Sequence, residues 1–180
     1  MALEVPDLRD GTIMVRPWRD DDVETAIAIC QDPEIARWTR VPSPYREQDA
    51  LEFFEVARDG WETGASPTFA VVEAASGQIV GSIGVRINAA IGDIGYVVSA
   101  VERLRGFGTR AVLLVCRWAF EELGLERLQI TVQPENTASQ RLAEKAGFRR
   151  EGVLRSYLEI KGGRADVVMF SLLPNELSAR

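Results

Sequence analysis

Two short stretches hold the residue types that could do chemistry. Arg103-Leu104-Arg105-Gly106-Phe107-Gly108-Thr109 follows the apolar run from Ile94 to Val98 and leads into a helical pattern from Arg110 to Leu123. A strand that ends in such a turn and becomes a helix offers unpaired backbone N–H groups at the positive end of a helix dipole, a place to hold phosphate. Gly106 and Gly108 have no Cβ, so backbone can approach a pyrophosphate, while Arg103 and Arg105 add charge-assisted contacts. The implied ligand is an anionic cofactor. The second stretch is a helix whose start is marked by Pro134, Glu135 and Asn136 and whose stop is Gly147, with Ser139 in its first turn.

Composition narrows what those residues can do. None of the 180 residues is histidine, which removes Ser-His-Asp and Cys-His catalysis and the commonest zinc ligand; no metal is expected. The net charge of −6 opposes nonspecific binding to nucleic acid or to an acidic membrane surface, so a phosphate ligand must be drawn by a local basic cluster. The same acidity favours a cationic acceptor such as an amine, and describes an ordinary acidic protein equally well. Cys30 and Cys116 lie far apart in apolar helical patterns and read as buried thiols, which fits a cytoplasmic protein. The first 20 residues carry charges and no apolar h-region, and no run approaches about 18 apolar residues, so neither a signal peptide nor a membrane span is expected.

The elements that must position the two stretches alternate in an orderly way. Thr12 to Trp18 reads as a strand, and Asp20-Asp21-Asp22 supplies acidic caps for a helix from Thr25 to Cys30. A helix follows Pro44 and Tyr45, with Leu51, Phe54 and Ala57 at helical spacing until Gly60 and Gly64. Three strands come next, over 68–73, 78–87 and 91–99, the first two joined by Ala75-Ser76-Gly77. After the long helix come a strand over 128–132, the Asn136 helix, and strands over 148–159 and 164–173 joined by Lys161-Gly162-Gly163. The order β-α-α-β-β-β-α-β-α-β-β over residues 1–180 predicts a single mixed α/β domain.

On these residues the chain resembles the GCN5-related N-acetyltransferase (GNAT) superfamily, and within it the RimJ/RimL type. Arg103, Gly106 and Gly108 match the Arg/Gln-x-x-Gly-x-Gly/Ala acetyl-CoA signature. Asn136-x-x-Ser139-x-x-Leu142-x-Glu144-Lys145-x-Gly147-Phe148 resembles the RimJ/RimL helix pattern, and Glu151-Gly152-Val153-Leu154-Arg155 continues it. Trp38, Pro42, Pro44 and Tyr45 stand where that type carries an aromatic, proline-bearing acceptor loop. Leu104 and Ala100 depart from it, standing where glycine and proline are frequent.

The resemblance implies a splayed sheet flanked by helices, with the strand at 94–98 parting from the strand at 128–132 to admit the pantetheine arm. Backbone N–H groups from Arg105 through Phe107 and Gly108 to Thr109 would cradle the pyrophosphate, and the N–H of Val98 would polarise the thioester carbonyl. Asn136 would cap its helix and hydrogen-bond pantetheine. The superfamily's frequent tyrosine acid falls on Ala143 here, so Ser139 is the residue the type assigns to protonating the CoA thiolate. The glutamate often invoked on the penultimate strand falls on Leu158, leaving its neighbour Glu159, with Asp93 and Glu73, as carboxylate bases. Trp38, Tyr45 and Tyr96 are candidates for holding the acceptor.

The implied activity is acetyl transfer from acetyl-CoA to a primary amine, with a protein or peptide amino terminus, as in ribosomal-protein-alanine acetylation, as the first acceptor. Small amines such as antibiotics or polyamines, and a CoA-sensing module without turnover, are the alternatives. A homodimer is compatible with the type, and no residue marks one.

Overall fold

The computed structural model describes residues 3–177. Eight strands form one mixed sheet: β1 (Leu8–Arg9), β2 (Ile13–Pro17), β3 (Thr68–Glu73), β4 (Ile79–Asn88), β5 (Ile91–Val98), β6 (Arg127–Val132), β7 (Arg149–Ile160) and β8 (Gly163–Leu172). Their spatial order is β1-β2-β3-β4-β5-β6-β8-β7. Five helices flank it: α1 (Val23–Cys30), α2 (Pro33–Trp38), α3 (Glu47–Thr63), α4 (Phe107–Glu121) and α5 (Thr137–Lys145).

Alternation along the strands sends one set of side chains to a single core. Ile13, Val15, Phe69, Val71, Ile83, Val85, Ile94, Leu128, Ile130, Phe170 and Leu172 pack with α4 residues such as Val112, Val115 and Trp118, and with Ala143 and Ala146 of α5. Trp118 meets Phe69 edge-on at 5.3 Å between ring centroids, and Trp61 closes that cluster from the end of α3. At the start of α3, Trp18, Phe53 and Phe54 form a second aromatic group, with the Trp18 indole N–H donating to Ser82 Oγ (3.3 Å).

The sheet parts where the resemblance implies. β5 and β6 run parallel and pair only at Ile91↔Arg127, Gly92↔Leu128 and Asp93↔Gln129. Beyond that rung β5 stays paired with β4 up to Gly81↔Val98, while β6 stays paired with β8 up to Val132↔Val168. Ile94–Val98 and Ile130–Val132 therefore form the two arms of a V.

Three local readings differ from expectation. The acidic triplet forms a 3-10 turn, and α1 begins at Val23 with no side-chain cap; buried Asp22 instead accepts two hydrogen bonds from Arg16 (2.6 and 2.9 Å) and one from the Arg19 N–H. α2 was not expected and ends on Trp38, the first residue of the expected acceptor loop; it is started by Asp32 as N-cap and Pro33 in the first turn. The two-residue β1 was not anticipated.

A clasp ties β6, β7 and β8 together below the V. Arg127 on β6 forms a two-pronged pair with Glu151 on β7 (3.0 and 2.6 Å), which also accepts from Ser171 Oγ on β8 (2.6 Å). Arg127 first, and Ser171 second, hold the Glu151 carboxyl down at about 2. A carboxyl depressed in the fold stabilises it above the unfolded value and loses that contribution as pH falls. Thermal unfolding of the wild type is therefore expected to drop more steeply than that of Glu151→Gln as pH falls from about 5 to about 2. Parallel pH profiles for the two proteins would show that the clasp adds nothing.

Candidate active site

The glycine turn is an open, exposed stretch of backbone at the start of α4. Gly106, the N-cap of α4, adopts φ +86°, and a Cβ on it would meet nothing within 4 Å. Leu104 also has positive φ (+66°) and is fully exposed, so the position where the type carries glycine keeps the backbone conformation glycine favours. Both arginines are engaged within the chain. Arg105 contacts Glu73 (2.6 Å) and Glu102 and lies over the Phe107 ring (4.6 Å), and Arg103 pairs with Asp32. A phosphate at this turn would be met first by backbone N–H groups, with the guanidiniums exchanging partners to reach it. Phe107 puts its ring in the core and Thr109 is half-buried, so these positions offer main chain.

Gly108 is also a packing position. A Cβ there would lie 2.7 Å from Leu142 Cδ1 and 3.1 Å from Val98 Cγ2. Its smallness lets α4 pack against α5 and β5.

Polar groups from the two sides of the V converge. Ser99 N–H donates to the Val80 carbonyl (2.9 Å), so antiparallel alternation turns the N–H of Val98, one residue earlier, away from β4 and toward the parted arm. Tyr96, on the same face of β5, reaches across to α5. Its hydroxyl lies 2.7 Å from Ser139 Oγ and 3.3 Å from the Ser139 carbonyl. Burial pushes the Tyr96 phenol up to about 12, offset in part by Ser139, so it stays protonated at neutral pH. Asn136 caps α5, its Oδ1 accepting from Ser139 N–H (3.2 Å). Among the described residues its Nδ2 has no protein partner. Tyr96, expected on the acceptor side, thus joins Ser139 and Asn136.

The carboxylates separate. Asp93 sits on the last shared rung, its Oδ1 accepting from Gln129 Nε2 (2.6 Å). Five residues of strand, about 16 Å, part it from Val98, so it is not a direct base for chemistry at that N–H. Glu73 is held by Arg105 and Ser76. Glu159 is exposed near the tip of the β7–β8 hairpin, beside Arg40, whose Nε donates to the Glu159 carbonyl (3.2 Å).

The aromatic candidates also divide. Trp38 ends α2, half-buried, its indole N–H on Glu34 (2.9 Å) and Arg37 over its ring (4.4 Å), while its carbonyl accepts from Gln133 Nε2 (3.4 Å) just past β6. Tyr45 is only 7% exposed, its hydroxyl close enough to the Cys30 thiol to interact with it, so it packs inside instead of gripping an acceptor. An apolar ring with one polar partner is more stable buried than left on the loop surface. Asp32, Arg40, Gln133 and Lys161 were not anticipated. Only the Asp32-Pro33 helix start, a local signal, could have pointed to one of them.

A splayed mixed sheet with an N–H aimed into the V and a glycine turn at its mouth defines an acyltransferase architecture. The profile of the acetyltransferase (GNAT) domain matches residues 12–149. An uncharacterized N-acetyltransferase, p20 of Bacillus licheniformis, is 30% identical over 165 residues, covering 88% of this chain and 92% of that protein. Mycobacterium smegmatis RimJ, solved with CoA-disulfide, superposes with TM-score 0.83 at 25% identity over 96% of this chain and 88% of its own. Vibrio cholerae spermidine N-acetyltransferase, solved with CoA and spermine, gives 0.78 at 21% identity over 93% and 99%. The chain belongs to the GNAT family and is an N-acyltransferase. Among the described residues, no helix is long and apolar enough to cross a membrane, and no three metal-ligating side chains cluster.

The packing role of Gly108 is testable by denaturant unfolding. Gly108→Val should lower stability by about 1–3 kcal/mol through overpacking, and adding Leu142→Ala should return part of that loss. Additive losses in the double variant would contradict the packing account.

Proposed function

We propose that this enzyme transfers an acetyl group from acetyl-CoA to the amino terminus of a protein or peptide. The observation that carries the reading is the pairing of Tyr96 with Ser139 across the same gap into which the Val98 N–H points. Acetyl-CoA supplies the acyl group as a thioester. The residues present fit it: an open turn at Gly106 for phosphate, parted strand edges for the pantetheine amides, and the free Asn136 amide nitrogen.

Each group then has a task as the amine nitrogen bonds to the acetyl carbon and the carbon–sulfur bond breaks. Val98 N–H donates to the carbonyl oxygen where negative charge develops. Ser139 gives its proton to the departing thiolate, Tyr96, protonated at neutral pH, replaces it on Ser139, and solvent returns a proton to Tyr96 once the products leave. The amine's proton leaves to solvent or to Glu159. The acceptor assignment draws on the RimJ/RimL pattern around Asn136 and Ser139.

Thiol release from acetyl-CoA with a peptide acceptor tests the chemistry. Ser139→Ala should slow turnover about 10²-fold and Tyr96→Phe about tenfold, with acetyl-CoA affinity retained in both. Unchanged turnover in Ser139→Ala would remove Ser139 as the acid, and no thiol release from any amine would overturn the transferase reading of this site.

A further inference from the structure

Beyond the parted arms the structure holds a recess of about 510 Å³ whose lining includes two cations and one carboxylate. The sheet register places it. β8 pairs with β6 as far as Val132↔Val168, then runs five residues further, with β7 beside it, to Gly163. The hairpin therefore projects about 16 Å past the end of β6, on the side where the V opens. α2 and the loop after it lean against it: Lys161 Nζ bonds the Ala36 carbonyl and Arg40 Nε the Glu159 carbonyl, while Gln133 joins the end of β6 to Trp38. Arg40, Val41 and Pro42 form one wall of the recess and residues 159–162 the other.

Among the described residues, its charged groups have no ion partners. Acidic residues outnumber basic ones, 27 to 21, and the cofactor-turn arginines are matched by carboxylates. Arg40 and Lys161 are not: their described bonds go to neutral carbonyl oxygens, and among the described residues neither makes a salt bridge. The Glu159 side chain is likewise without an ion-pair partner among the described residues. Two cations and one carboxylate thus line a single recess, each with donors or acceptors to spare.

We propose that this recess selects a peptide amino terminus followed closely by an acidic side chain, the amine drawn toward Glu159 and the carboxylate held by Arg40 and Lys161. This rests on the transferase reading above and adds the acceptor's charge pattern. An extended polycation is disfavoured, because two positive groups face it at the mouth despite the attraction of the net charge at long range.

The test uses the full chain, acetyl-CoA and thiol release with hexapeptides identical except for Glu, Gln or Lys at positions two and three, beside spermidine and free glutamate. The Glu peptide should show a KM about tenfold below the Gln peptide and further below the Lys peptide, with spermidine poorest. Arg40→Gln and Lys161→Gln should each raise KM for the Glu peptide several-fold and narrow the preference, and Arg40→Glu with Lys161→Glu should shift it toward the Lys peptide. Equal KM values across the peptides, or a preference for spermidine, overturn the inference while leaving the transferase reading intact. Free glutamate matching the Glu peptide overturns the peptide part of it. No acetylation of any amine overturns both. Comparison of peptides on the unaltered enzyme keeps the test independent of how the variants fold.

Discussion

The rung between Asp93 and Gln129 is the constraint on which the rest depends. It is the last point at which β5 and β6 share hydrogen bonds, and each strand leaves it committed to a different neighbour. β4 holds β5 and β8 holds β6, so the arms cannot close by pairing with each other. Backbone groups that a continuous sheet would satisfy are instead turned into a gap, a cost a protein bears where a ligand can meet them. The GNAT fold is, in this sense, a sheet kept open by its own flanking strands.

What stands around the gap follows from that opening. α4 begins at the tip of the β5 arm through the Gly106 turn, and α5 begins just past the tip of the β6 arm, so two helix N-termini face the same space. Tyr96 and Ser139 span it. The acceptor side is organised by α2, only six residues long, which is tied to the cofactor turn through Asp32 and Arg103, to β6 through Trp38 and Gln133, and to the hairpin through Ala36 and Lys161. The turn, the end of β6 and the hairpin are therefore all tied to one short helix.

Much of this was legible in the chain. The turn at 103–109 and the Asn136–Ser139 start carry local chemistry that a sequence states directly, and the strands are bounded by glycine-bearing turns. The parted sheet followed from resemblance, since nothing in Ile94–Val98 alone says where pairing stops. Long-range partners were not readable. Tyr96 looked like an acceptor-side ring until α5 brought Ser139 to it across 43 positions. Asp93 looked near the cleft because strand position fixes a face and not a distance, and Tyr45 looked exposed because its prolines suggest a loop while its burial against Cys30 depends on packing. Gly108 also carries a packing task that its local pattern does not state, a close approach of Leu142.

The central claim is that the gap and its turn form a site for acetyl-CoA in particular. Calorimetric titration of the purified protein with acetyl-CoA, in competition with ATP and NAD, tests it most directly. Saturable acetyl-CoA binding that neither nucleotide displaces is the predicted result. Absence of binding, or displacement by ATP or NAD at comparable concentration, would contradict it and leave the glycine turn as a structural feature of the fold.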